Sequence, residues 1–192
     1  ADELKRAVML ARDQGVPVTV IAGGSNLLFA DHGIRGLVIR MPGGEVRQID
    51  PGRIRADAGV TINGLVRWTI AHGLAGLEAW AGTPGTVGGA IYGNAHFQGR
   101  NISDLVDAVW LMSREGRIHE ASVADMEFAY HYTRLHRTGE IVVSADFRVV
   151  SGDPDRLRAT ARGSLGYPKR TQPLANASAR GIFQNPRPGR ET

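Results

Sequence analysis

Cysteine is absent from the sequence, which excludes a disulfide framework, a thiolate zinc site and an iron–sulfur cluster. That absence suits a reducing cytoplasm. No apolar run approaches the roughly 20 residues of a membrane-spanning helix, so no membrane partner is expected. The opening Ala1-Asp2-Glu3-Leu4-Lys5-Arg6 has no signal-peptide pattern and reads as a helix already under way. With no initiator methionine, the chain reads as a fragment or a trimmed product. The histidines (His32, His72, His96, His119, His131 and His136) hold no H-x-x-x-H or comparable spacing, and no metal site is predicted. A basic face, or aromatics interleaved with arginine and lysine, would mark a nucleic-acid binder. Neither is visible before Lys169, and the formal charge of +4 fits a phosphate-bearing small ligand equally well.

What is present is an ordinary globular composition, 42% hydrophobic over 192 residues, enough for one large domain or two small ones. Leu4, Ala7, Val8, Leu10 and Ala11 recur at helical spacing over residues 3–14, with Gly15 as the stop. Val18-Thr19-Val20-Ile21 is a β-branched run of buried-strand type. Leu37-Val38-Ile39-Arg40 is a second strand, expected to close a strand–helix–strand unit. Two strands, at 46–49 and 54–58, meet at Asp50-Pro51-Gly52. Residues 60–72 read as a helix closed by Gly73, and residues 102–106 as a short helical turn. A hairpin is expected from 109–112 and 116–119, turning at Arg114-Glu115-Gly116. Residues 140–149 carry the strongest strand signal, and a helix over 155–165 is expected to break at Pro168. The strands cluster rather than alternating strictly with helices, which points to α+β.

Two stretches stand out as glycine-dense. Gly82-Thr83-Pro84-Gly85-Thr86-Val87-Gly88-Gly89-Ala90 holds too much glycine for a helix or strand interior. The strand at 18–21 runs straight into Gly23-Gly24-Ser25-Asn26. Each is either a plain turn or a row of bare N–H groups open to an anion, with Ser25 and Asn26 adding side-chain donors. Neither has the G-x-G-x-x-G or lysine-bearing P-loop spacing.

Taken together, several stretches resemble the UDP-N-acetylenolpyruvoylglucosamine reductase (MurB, UDP-N-acetylmuramate dehydrogenase) family. Ala22-Gly23-Gly24-Ser25-Asn26-Leu27-Leu28 is similar to its first flavin loop. Gly76-Leu77-Glu78, residues 82–90 and Asn94-Ala95 are similar to its second. Phe128-Ala129-Tyr130, Gly139-Glu140-Ile141-Val142, Gln172-Pro173-Leu174 and Phe183-Gln184-Asn185-Pro186 follow in the family's order. The resemblance implies a two-lobed, PCMH-type FAD-binding domain: lobe one at 1–42 without its first strand, lobe two at 43–152, and the start of a substrate-binding region at 153–192. It implies FAD held by Gly23, Gly24, Ser25, Asn26, Leu27, Gly82, Thr83, Pro84, Gly85, Thr86, Gly88 and Gly89, with main-chain contacts from Ile141. The implied reaction is reduction of UDP-N-acetylglucosamine enolpyruvate to UDP-N-acetylmuramate with NADPH as co-substrate. That places it in peptidoglycan precursor synthesis, and so in cell-wall formation, cell shape and division, in a cytoplasmic and monomeric protein. Tyr130, Arg170 (or Lys169) and Asn185 match substrate contacts.

Two positions depart from the family. Where it has Tyr-Arg, this chain has Tyr130-His131, and an imidazole does an arginine's work on a carboxylate only when protonated. Where the family has Ser-Ala-Gly followed by its serine or cysteine proton donor, this chain has Ser178-Ala179-Arg180-Gly181, with glycine at the donor's position and Ser178 kept as the motif's first residue, whose role in the family looks structural but which could serve as the acid. His131 and Ser178 are therefore the candidate catalytic residues. An FAD-binding module without turnover, and a basic nucleotide-binding domain without flavin, are the alternatives. Arg134 is expected to face solvent, Tyr92 and the three tryptophans to pack in the core, and Asp104 and Asp107 to lie on a solvated helix face.

Overall fold

The computed structural model describes residues 2–97 and 99–171, the last six by their backbone alone. Helix α1 (Asp2–Asp13) leads to β1 (Val18–Ile21) and β2 (Leu37–Arg40). Next come β3 (Val46–Asp50), β4 (Arg53–Asp57), α2 (Ile62–Ala71) and β5 (Leu74–Ala75). A 3-10 turn (Glu78–Trp80) precedes α3 (Val87–Tyr92), and the short β6 (His96–Phe97) and β7 (Arg100–Asn101) pair with each other. A second 3-10 turn (Ile102–Asp104) opens into β8 (Val106–Met112) and β9 (Ile118–Ser122). The short α4 (Leu135–Thr138), β10 (Ile141–Arg148), β11 (Val150–Ser151) and α5 (Pro154–Thr171) complete the described chain.

The α+β class holds. β1 and β2 form a parallel pair, and β3-β4-β10-β8-β9 form an antiparallel sheet of five with β10 at its centre. One sheet face buries Ile54, Ala56, Val109, Leu111, Ala145 and Phe147 against α2 and α3, which contribute Ile62, Leu65, Val66, Val87 and Ile91. Helix α5 lies in the stretch expected to open the substrate-binding region. It packs Leu157 and Ala161 into this same core.

Several expected elements are corrected. No helix lies between β1 and β2; residues 22–36 cross over as turns. The helix expected from residue 60 starts at Ile62, because the Thr61 hydroxyl accepts the Gly64 N–H (3.0 Å) and caps it. The helical turn at 102–106 is confined to Ile102–Asp104, and Val106 already belongs to β8. Pro168 does not break α5: buried Leu157, Ala161 and Ser164 anchor the helix upstream, and packing outweighs one missing backbone bond. Most tellingly, the glycine-dense stretch judged too flexible for a helix ends in one. Residues 87–92 form α3, for a reason found at Gly88 below.

The central strand carries a buried charge on the sheet's other face. Asp146 is 1% exposed. It accepts two hydrogen bonds from Arg55 (2.5 and 2.7 Å), directly opposite on β4, and a third from the Trp110 indole N–H (3.4 Å). The same guanidinium lies 4.3 Å from the centre of the Trp110 ring. Removing one partner of such a pair strands the other without compensation. Asp146→Asn is expected to cost about 3 kcal/mol, read as a lower urea midpoint at unchanged slope.

Candidate functional site

The first loop leaves β1 at Ile21 and turns at Gly24, whose φ of +71° suits glycine and few other residues. Leu27 N–H closes it onto the Gly24 carbonyl (3.3 Å). Leu27, Leu28 and Phe29 stand exposed beyond it. Among the described residues, the N–H groups of Gly23, Gly24 and Ser25 find no protein acceptor.

The second loop is anchored rather than free. Asn63, on the first turn of α2, accepts the Gly82 N–H (2.7 Å) and donates to the Thr83 carbonyl (3.4 Å). Ile62 N–H donates to the Gly85 carbonyl (3.0 Å), and Val87 N–H to the Val60 carbonyl (2.9 Å), so Thr86 bridges Thr61. Gly85 holds φ +106°. The N–H groups of Gly85 and Thr86 find no protein acceptor among the described residues. Thr83 Oγ1 is buried with no hydrogen-bond partner among the described residues, an orphan of the kind that calls for an outside group.

The two loops meet. A Cβ placed on Gly85 would lie 3.5 Å from Ser25 Oγ. Pro84 is exposed at the same tip. Ser25 and Gly85 thus bring side by side two stretches that between them carry five N–H groups without a protein acceptor among the described residues, two glycines in left-handed backbone and a buried hydroxyl, and these features fit a diphosphate.

Gly88 and Gly89 play a different part. The Gly88 N–H is already engaged by the Ala58 carbonyl (2.8 Å), and a Cβ there would come within 3.0 Å of Ala58 Cβ and 3.2 Å of Ala58 O. Glycine at this position lets α3 sit against β4, which is why a helix forms in spite of its composition. Gly89 N–H is capped by Thr86 Oγ1 (3.4 Å). α3 lies across β10, so the strand that opens at Ile141, in register with Met112, neighbours the glycine helix.

Tyr130 and His131 occupy the corners of a tight turn, closed by Ala129 N–H to Tyr132 O (3.0 Å) and Tyr132 N–H to Ala129 O (3.2 Å). His131 has φ +52°. Its ring lies 4.3 Å from that of Tyr130 and 5.8 Å, edge-on, from that of His96. Arg134, expected in solvent, is half-buried instead and pairs with Glu140 (3.2 Å) because that carboxylate is itself largely enclosed. Tyr92, expected in the core, is 47% exposed and stacks on His136 at 4.3 Å. Of the tryptophans, only Trp80 is fully buried; Trp68 stacks on His72 (3.8 Å) and Trp110 lies under Arg55. Asp104 closes its 3-10 turn through Asn101 N–H (2.9 Å). Asp107 lies on β8, not on a helix, and accepts from Arg53 (3.0 Å). Ser178, Gly181 and Asn185 lie outside the described residues, and Arg170 and Lys169 belong to the backbone-only end of α5. Asn63 supplies anchoring that the sequence does not advertise, since it and its main-chain partners lie 19 and 20 residues apart.

The sequence and the fold both have known relatives. Residues 1–122 match the family model described as FAD binding domain. The UDP-N-acetylenolpyruvoylglucosamine reductase of Heliobacterium modesticaldum is 37% identical over 189 residues, covering 97% of this chain and 60% of that protein. The protein of the same name from Synechococcus sp. is 38% identical over 192 residues, covering 98% and 63%. The crystal structure of UDP-N-acetylenolpyruvylglucosamine reductase (MurB) from Thermus caldophilus superposes with a TM-score of 0.78 at 29% identity, covering 96% of this chain and 65% of that one. The chain thus spans about three-fifths of the length of the curated relatives it matches.

The close approach at Gly88 is directly testable. Gly88→Val forces a branched side chain against the Ala58 backbone, which cannot give way, and is expected to cost about 3 kcal/mol. Chemical denaturation checks this, with Gly89→Ala, whose Cβ meets only Thr86 Oγ1 at 3.7 Å, as the well-tolerated control.

Proposed function

The chain belongs to the FAD binding domain family, on the branch of the UDP-N-acetylenolpyruvoylglucosamine reductases, and on that premise we propose that it is the FAD-holding part of such a reductase. The proposed reaction takes reducing equivalents from NADPH to the enolpyruvyl group of UDP-N-acetylglucosamine enolpyruvate and yields UDP-N-acetylmuramate for peptidoglycan. We place it in the cytoplasm, as a monomer. The observation that carries the reading is the convergence of the two loops at Ser25 and Gly85.

When bound, FAD supplies the two-electron carrier between nicotinamide and substrate. The chain's own contribution is placement. Gly23, Gly24, Ser25, Gly85 and Thr86 present main-chain N–H groups to the diphosphate, joined by the Ser25 and Thr83 hydroxyls. Asn26, Leu27, Gly82 and Pro84 shape the rim, Gly88 and Gly89 hold the loop in place, and Ile141 offers main-chain contacts. An array fixed in advance loses little freedom when the anion arrives, so its hydrogen bonds go into affinity. Tyr130, Arg170 and Asn185 are assigned to the nucleotide sugar. His131, when protonated, faces the carboxylate on which enolate charge develops, and Ser178 is the hydroxyl left to hold a proton for the adjacent carbon.

A second reading has its own support: FAD binding without turnover. A histidine stands where the family has arginine and Gly181 where it has its proton donor, so both flavin loops are kept while two catalytic positions are altered.

Titration with FAD is expected to give a yellow protein with quenched flavin fluorescence; a protein that stays colourless in excess FAD overturns both readings. Gly85→Ala adds strain at φ +106° and is expected to weaken FAD about tenfold, corresponding to about 1.4 kcal/mol. In a full-length version, NADPH under anaerobic conditions followed by the enolpyruvyl sugar separates the two readings. Reoxidation by the sugar supports the reductase; bleaching that the sugar does not reverse supports the second reading.

A further inference from the structure

Asn94 follows directly on α3 and its cap Gly93, and it holds two features that packing alone does not call for. Its backbone is left-handed (φ +42°), a conformation non-glycine residues adopt rarely, though asparagine more often than most. Its side chain is 4% exposed, and among the described residues only one of its two polar atoms has a partner. Nδ2 donates to the Ala129 carbonyl (2.9 Å). A carbonyl can only accept, so the amide cannot be turned the other way, and Oδ1 is left buried with no donor among the described residues.

The partner matters more than the bond. Ala129 immediately precedes Tyr130, and its carbonyl already accepts the Tyr132 N–H that closes the Tyr130–His131 turn. Asn94 therefore fills that carbonyl's second lone pair from outside the turn. Two neighbouring contacts tie down the far shoulder: Thr133 Oγ1 and the His136 ring nitrogen both reach the Tyr92 carbonyl (2.9 and 3.1 Å). The turn is thus lashed at three points to residues 92–94, at the opposite end of α3 from the second glycine loop.

We propose that Asn94 is a positioning residue that sets the orientation of Tyr130 and His131 relative to the glycine loops, and that its open Oδ1 receives an N–H or O–H donor of the nucleotide-sugar ligand. This rests on the function proposed above. Asn94 acts through the turn: its nitrogen fixes the turn's base, and its buried oxygen is left for the ligand.

Asn94→Gly keeps the left-handed backbone and removes the amide, and the test is made in the FAD-loaded full-length protein. Tyr132 amide exchange is expected to speed up at least tenfold while that of Ala145 in the central strand is unchanged. The His131 ring proton resonance is expected to move, since its ring contacts with Tyr130 and His96 set it. KM for the enolpyruvyl sugar is expected to rise about tenfold with FAD affinity within twofold. Asn94→Asp, which loses the donor, is expected to change the exchange and the resonance in the same direction and stands in if Asn94→Gly cannot be purified. An unchanged Tyr132 exchange and His131 resonance overturn the proposal. So does faster exchange that extends to Ala145, or a loss of FAD affinity that tracks the rise in KM. If the parent protein does not turn over, the functional reading falls on its own, and the exchange and resonance arms still decide whether Asn94 orients the turn.

Discussion

One residue holds the architecture to its site. The Ala58 N–H donates to the Val143 carbonyl (2.9 Å), and the Ala58 carbonyl accepts from Gly88 N–H (2.8 Å). Val143 falls at an irregularity in the β10–β8 register, where Val142 pairs with Leu111 and Ser144 with Trp110. The bulge leaves the Val143 carbonyl outside that ladder and facing the end of β4. Ala58 is therefore clamped between the central strand on one side and the glycine helix on the other. That clamp seats α3, with the second loop at one end of it and the Tyr130–His131 turn tied to the other, against the sheet.

The glycines accordingly divide into two kinds that look alike in the sequence. Gly24 and Gly85 supply backbone angles and leave their amides unengaged, whereas Gly88 supplies room and gives up its amide to the fold. A phosphate cradle needs both: some peptides must face the ligand, and others must make the facing peptides rigid. Asn63 and the Thr86 hydroxyl cap belong to the second group, their side chains being spent on the loop's own main-chain groups.

That division explains what the sequence could and could not disclose. The β-branched run at 18–21, the strong strand at 141–148 and the amphipathic α2 were legible because their signals are local periodicities. The two glycine loops were legible as motifs. Helix α3 was not, since Gly88 and Gly89 argue against a helix unless Ala58 is known to lie beneath. Pro168 misled for the same reason, because the residues that hold α5 lie on α2 and the 3-10 turn at Glu78–Trp80. Burial of Arg134 and exposure of Tyr92 depend on partners at Glu140 and His136, and no windowed pattern reports those.

Helix α5 has a mechanical consequence. Its 18 residues make a rod about 27 Å long at 1.5 Å per residue. A Cβ on Gly82 would sit 3.1 Å from Leu165 Cδ2, so the rod rests against the hinge of the second loop partway along its length. Leu165 thus ties the seating of α5 to that of the second loop at its first glycine.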